Sequence, residues 1–136
     1  MCEILAPAGD SAAFYAAINS GADAVYLGLT DFSARRSAAN FSLENLRTHI
    51  GYAHALGVRV YVKDGEVGRF FESALGAWNA GADALIIQDV FLGKLLKEAY
   101  PGMVLHLSTQ AGVCNLYGAR LAKRYGFSRV ILARET

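Results

Sequence analysis

The sequence is poor in cysteine. Its 136 residues include two cysteines, Cys2 and Cys114, which are far apart in the chain and outside any CxxC pair. Zinc and iron–sulfur sites usually need several closely spaced ligands, so we predict no metal site built from this chain alone. The simplest expectation is two reduced, partly buried thiols.

The sequence also lacks a strong excess of either charge and any long apolar run. The net charge is +1 and like charges form no block, which is not the pattern of a dedicated nucleic-acid-binding domain. No apolar run approaches the roughly 20 residues that a membrane-spanning helix needs. Met1-Cys2-Glu3 lacks the basic start of a secretory signal. We therefore expect a cytoplasmic protein without membrane partners.

Familiar catalytic motifs are absent as well, since the sequence has no GxSxG elbow, no HExxH and no Walker loop. What it does have is a regular alternation of apolar strand-like runs and helical stripes, with 54% apolar residues. Strands are predicted at Glu3–Ala6, Ala24–Leu27, Val58–Val62, Ala84–Ile87, Met103–Leu107 and Arg129–Ala133. Helices are predicted from Asp10 or Ser11 to Ile18, and at Leu43–Leu56, Glu66–Asn79, Val90–Ala99 and Leu116–Tyr125.

One strand-and-helix unit is repeated within the chain. The stretch NSGADAVYLG at Asn19–Gly28 matches NAGADALIIQ at Asn79–Gln88. Asp23 and Asp83 of this repeat precede strands, and we interpret them as structural. His49 and His54 lie on a predicted helix without an acidic or metal-ligand partner at useful spacing, so we expect both to be surface or groove residues.

Six strands alternating with five helices indicate an α/β fold with a parallel sheet. An open doubly wound sheet and a (β/α) barrel both fit this order. A typical barrel has about 250 residues, and this chain ends on a strand. We therefore expect an incomplete parallel (β/α) barrel of TIM type, a single domain over residues 1–136 that is the N-terminal segment of a longer protein.

Polar residues follow the predicted strands, at the carboxyl ends where both architectures place their sites. They include Tyr61 and Lys63 at the end of the third strand and His106, Ser108 and Gln110 at the end of the fifth. Strand alternation would put the last three on one face. We expect them to line a pocket. The alternatives are that Asp10, Asp89 and Ser108 cap helices, and that His106 and Gln110 form a polar layer inside the barrel. Arg35 and Arg36 could bind an anion or be a solvated pair.

Several motifs, in order, resemble peptidase family U32, the collagenase-like proteases. They are EILAPAGD, GADAVYLG, FSARRSAANFS, YAHALGVRVYV, GADALIIQD, HLSTQAGVCN and RVILARE. The resemblance implies a TIM-like barrel. It also implies either proteolysis, which gave the family its name, or oxygen-independent hydroxylation of transfer or ribosomal RNA bases or of a ubiquinone precursor. Some of those hydroxylases carry an iron–sulfur cluster, whose cysteines lie beyond the matched segment, so the cofactor is unknown.

The resemblance also selects residues, although it does not assign their roles. Catalytic candidates are His106, Ser108, Gln110 and Asp89. Substrate-binding candidates are Asp10, Tyr26, Arg35, Asn40, Gln88, Asn115, Arg134 and Glu135. One departure is that Lys63-Asp64-Gly65-Glu66 follows Val62 directly, where the family usually has a further segment. The contribution of the third strand to a pocket is therefore in doubt.

Three functions are consistent with these observations: a peptidase, a hydroxylase that acts on RNA or a ubiquinone precursor, and a non-catalytic half-barrel that needs a partner. We expect the fragment alone to be inactive. A sheet with two open edges favours association of the chain with itself or with another protein. The sequence leaves open whether the substrate is a peptide or an RNA.

Overall fold

The computed structural model describes residues 2–29, 41–63 and 69–134. The chain divides into two compact units, Met1–Asp83 and Ala84–Thr136, called the first and second unit below. In each unit, parallel strands alternate with helices. None of the helices in the described part of the chain has the length and apolar character needed to cross a membrane.

The first unit contains three strands and three α-helices in its described residues. They are β1 (Leu5–Ala8), α1 (Ser11–Asn19), β2 (Ala24–Gly28), α2 (Leu43–Ala55), β3 (Arg59–Lys63) and α3 (Phe70–Asn79). β2 pairs in parallel with β1 and with β3. Its alternation puts Val25 and Leu27 on one face, where both are at most 1% exposed, and the half-buried Tyr26 on the other.

The second unit has the same alternation. Its elements are β4 (Ala84–Ile87), α4 (Val90–Ala99), β5 (Leu105–Leu107), a 3₁₀ helix (Thr109–Ala111), α5 (Leu116–Arg124) and β6 (Arg129–Val130). β5 pairs in parallel with β4 and with β6. The side chains of β4 and β5 are all buried, as expected for parallel strands covered on both faces.

Helices α1 and α2 begin at polar caps that the sequence partly predicts. Asp10 rather than Ser11 caps α1, and its Oδ1 accepts a hydrogen bond from the N–H of Ala13 at 2.7 Å. Ser42 and Asn45 form a reciprocal capping box at the start of α2. A cap of this kind stabilises a helix by about 1 kcal/mol.

The repeated aspartates connect each strand start to the preceding strand. Asp23 donates its backbone N–H to the carbonyl of Ile4 at 2.9 Å, and its Oδ2 accepts from the N–H of Ile4 at 2.8 Å. Asp83 makes the same pair of bonds with Val60, at 2.9 and 2.7 Å. The structural interpretation of both aspartates is therefore confirmed.

Some predictions from the sequence are wrong. His49 is not at the surface: it is 7% exposed, whereas His54 is exposed and contacts Asp83 at 2.8 Å. Cys2 and Cys114 are free thiols as expected, but both are exposed. The first and last strands also differ from the prediction, since β1 begins at Leu5 rather than Glu3 and β6 ends at Val130 rather than Ala133.

Candidate functional site

The carboxyl ends of parallel strands lie at one edge of their sheet, so polar residues that follow neighbouring strands come together. In the second unit this edge follows Ile87 of β4 and Leu107 of β5, which are in register. The N–H of Ser108 donates to the carbonyl of Ile87 at 2.9 Å and extends the pairing by one residue. Gln88 and Ser108 are thereby brought next to each other at the ends of adjacent strands.

Helix capping accounts for several of the predicted site residues. Asp89 is the N-cap of α4, and its Oδ1 accepts from the N–H groups of Phe91 and Leu92, both at 2.9 Å. Asn115 caps α5 through the N–H of Gly118 at 3.0 Å. These oxygens already accept hydrogen bonds from backbone N–H groups, so Asp89 is better suited to position a helix than to transfer a proton.

Ser108 ends β5 and changes the direction of the chain. Its Oγ accepts a hydrogen bond from the N–H of Gln110 at 3.3 Å, and a 3₁₀ helix begins at Thr109. Gln110 is therefore not on the strand, and the expectation that it shares a strand face with His106 is wrong. The Gln110 side chain is instead exposed just beyond the strand end.

His106 lies within β5 and is 5% exposed. Strand pairing puts it in register with Ile86 of β4 and Arg129 of β6, and in-register side chains lie on the same face of a sheet. The half-buried Arg129 is thus the neighbour of the buried His106 across this strand pair. Arg129 is not among the predicted site residues, although the same alternation identifies it once the register is known.

The second unit has a cavity beside the start of α5. This cavity of about 430 Å³ is lined by Cys114, Asn115, Leu116, Ala119 and Leu132. Of the predicted site residues it includes Asn115. Its lining is mainly apolar, which suits an apolar or aromatic group better than a charged one.

The other predicted residues lie apart from this group or outside the described ranges. In the first unit, Asp10 is a helix cap and Tyr26 is in register with Tyr61 of β3. Lys63, half-buried, ends β3 in register with Gly28. Arg134 is exposed in a turn after β6. Arg35, Asn40 and Glu135 fall outside the described residues, as does Arg36.

Metal ligands do not cluster in residues 2–29, 41–63 and 69–134, where no group of three or more His, Cys, Asp or Glu side chains could hold a metal ion. An iron–sulfur cluster typically takes four cysteine thiolates, and this chain has two cysteines. The residues present therefore do not fit such a cluster.

A contact in the first unit was missed by sequence reasoning. The Nε2 atom of His49 lies 3.0 Å from the Oγ of Ser11, and its Nδ1 lies 2.8 Å from the backbone carbonyl of Asn45. Ser11 and His49 are 38 positions apart, so spacing gave no signal for this pair.

Comparison with known proteins places these features in a family. The chain is 37% identical to tRNA hydroxylation protein P of Escherichia coli over 98% of its length, and 35% identical to the 23S rRNA 5-hydroxycytidine C2501 synthase of the same organism, also over 98%. It spans 31% and 21% of those two proteins.

A solved structure shows the fold. The U32 peptidase Mk0906 matches 97% of this chain with a TM-score of 0.74 and 14% sequence identity, and the chain covers 58% of it. The predicted fold class is confirmed: an α/β parallel barrel of TIM type, incomplete in this chain. The pattern that defines peptidase family U32 matches residues 9–136, and the chain belongs to that family.

Proposed function

We propose that this chain is part of a protein that hydroxylates RNA bases. The observation that carries the proposal is the similarity, over 98% of the chain, to proteins named for tRNA hydroxylation and for rRNA hydroxycytidine synthesis. Because the chain spans about a third of these relatives or less, the activity would belong to the longer protein. An RNA-modifying role also fits the cytoplasmic location expected from the sequence.

The polar strand ends of the second unit are suited to holding a base. Gln88 and Gln110 each offer an amide that can donate and accept, which matches the mixed donors and acceptors of a base edge. The cavity at Asn115 in the same unit, with its apolar lining, offers a surface for a flat ring. A net charge of +1 provides little attraction for phosphates, so those contacts would come from the rest of the protein.

The reaction itself needs groups that this chain does not supply. Its two cysteines do not fit a cluster, and we assign no redox step to its residues. Their role in the proposal is to bind and orient the base.

Proteolysis is the second candidate, favoured by the family description and by the name of the solved relative. The strand-end residues support it less well. Ser108 is 4% exposed and its Oγ holds a backbone N–H, so it is not presented as a nucleophile.

The test is to delete the gene in its source organism and to measure modified nucleosides in total tRNA and rRNA by mass spectrometry. We expect one hydroxylated nucleoside to disappear and to return when the intact gene is supplied. If every hydroxylated nucleoside persists in the deletion strain, RNA hydroxylation is ruled out as the function. Cleavage of denatured collagen by the purified full-length protein would then support the peptidase alternative.

A further inference from the structure

The Ser11–His49 pair is arranged as a nucleophile and its base. Ser11 is exposed at the first position of α1, three residues after the last residue of β1, and its Oγ is 3.0 Å from Nε2 of His49. This distance lies within the range expected for an activated hydroxyl. None of the strand-end residues of the second unit takes part.

The hydrogen bonds fix which nitrogen carries the proton. A backbone carbonyl can only accept, so the contact of 2.8 Å between Nδ1 and the Asn45 carbonyl places the proton on Nδ1 of the neutral ring. Nε2 then presents its lone pair, and the Ser11 hydroxyl donates to it. A base that is oriented by a second acceptor is the arrangement that general-base catalysis uses.

Packing holds the imidazole in place. His49 is 7% exposed, and its ring meets those of Phe14 and Phe41 nearly at right angles, with centroids 5.2 and 5.1 Å apart. Tyr15 lies against the same ring at 5.6 Å. The base is thus rigid while the hydroxyl it contacts is exposed.

The start of α1 adds hydrogen-bond donors. Asp10 occupies the N–H groups of Ala13 and Phe14, through its side chain and its carbonyl. Among the described residues, the N–H groups of Ser11 and Ala12 have no acceptor, as is usual for the first positions of a helix. They lie within one residue of the hydroxyl, where donors can stabilise a developing oxyanion.

We propose that Ser11 and His49 form an active site that cleaves carboxylic esters. The Ser11 Oγ bonds to the acyl carbon while its proton moves to Nε2 of His49. The ester C–O bond breaks, and the departing alcohol takes that proton. Water then attacks the acyl carbon and gives a proton to Nε2. The bond between that carbon and the Ser11 Oγ breaks, Oγ takes the proton from Nε2, and the carboxylic acid leaves.

Esters suit this site better than amides. The orienting group at Nδ1 is a neutral carbonyl rather than a carboxylate, so the protonated ring is less stabilised than in a full triad. An alcohol is a better leaving group than an amine, so ester cleavage depends less on a proton donated by the protonated His49 ring.

The experiment uses a fluorophosphonate probe on the 136-residue chain, with the labelled residue located by mass spectrometry. We expect one adduct, on Ser11, and none in Ser11→Ala. His49→Phe keeps an aromatic ring in the cluster but removes Nε2, and we expect labelling on the order of 100-fold slower. Ser20→Ala, an exposed serine at the other end of α1, is the matched control and should label like the unmodified chain.

Hydrolysis of p-nitrophenyl acetate should follow the same order across these variants. The proposal is overturned if Ser11 does not label, if several serines label at equal rates, or if His49→Phe labels as fast as the unmodified chain while circular dichroism shows it folded. None of these readouts depends on RNA hydroxylation, so the failure of one proposal leaves the other unaffected.

Discussion

Asp83 holds the start of the preceding strand, since its Oδ2 accepts the backbone N–H of Val60 at 2.7 Å. The same oxygen lies 2.8 Å from Nε2 of His54. The two contacts contribute differently to the free energy of unfolding because Val60 is buried, whereas the His54 side chain is 42% exposed. A buried N–H that loses its acceptor costs about 1–3 kcal/mol, whereas an exposed pair contributes about 0–1 kcal/mol.

We therefore expect Asp83→Ala to lower the free energy of unfolding by about 1–3 kcal/mol, and His54→Ala by less than about 1 kcal/mol. Urea unfolding followed by circular dichroism measures both. Asp23→Ala is the matched variant of the repeat, and we expect a smaller loss because Asp23 is exposed. Equal losses for Asp83→Ala and His54→Ala would contradict the assignment of the stability to the Val60 contact.

Close packing between α4 and Phe127 gives a second prediction. A Cβ added at Gly93 would lie 2.3 Å from Cζ of Phe127, which is 4% exposed and has little room to move. We expect Gly93→Ala to destabilise the chain by about 1–3 kcal/mol, as overpacking does. Thermal unfolding measures the change.

The control for this variant is Gly51→Ala, at an exposed position of α2 where an added Cβ meets no atom within 4 Å. Alanine is the better helix former, so this variant should gain up to about 1 kcal/mol. If both variants shift the melting temperature in the same direction, the Phe127 contact is not what distinguishes the two sites.

The alternation of strands and helices was predictable because each element carries its own signal. The bounds of β4 and α4 agree with the prediction, since an apolar run ends at Ile87 and Asp89 then caps a helix. The sequence pattern of one element does not show which distant residues will contact it. The contact of His49 with Ser11 spans 38 residues and that of His54 with Asp83 spans 29, so neither could be found by spacing.

The candidate site was predictable only where the chain continued as a strand. Alternation identified His106, but Ser108 bonds back to the N–H of Gln110 and turns the chain into a 3₁₀ helix. A serine side chain can accept a hydrogen bond from a nearby backbone N–H that would otherwise pair within a sheet. This effect is local, yet the sequence does not show whether it ends the strand.

Gln110 and Gln88 give the test of the proposed base-binding site. In the full-length protein, Gln110→Ala and Gln88→Ala should each lower RNA hydroxylation roughly ten-fold or more, because a lost hydrogen bond to a desolvated substrate costs about 1–3 kcal/mol. Modified nucleosides are measured after complementation of the deletion strain.

Thr109→Ala, an exposed neighbour in the same 3₁₀ helix, is the control and should retain activity. Thermal unfolding of each purified variant separates lost binding from lost fold, which matters most for the half-buried Gln88. Full activity in both variants would remove the second unit's strand ends from the proposed site.

The last prediction concerns association of the isolated chain. Apolar side chains are exposed on the second unit, among them Phe91 at 68%, Leu116 at 60% and Tyr117 at 79%. Among the described residues of that unit, β6 pairs only with β5, so its other edge offers backbone groups to a further strand. We expect the 136-residue chain to self-associate, with an average mass above that of the monomer by light scattering that rises with concentration. Tyr117→Glu should lower the association because it places a charge on the exposed face of α5, and Lys123→Gln, at an exposed position of the same helix, is the control that lowers the net charge by the same one unit. A monodisperse monomer with one cooperative melting transition would show that the chain needs no partner to cover these surfaces.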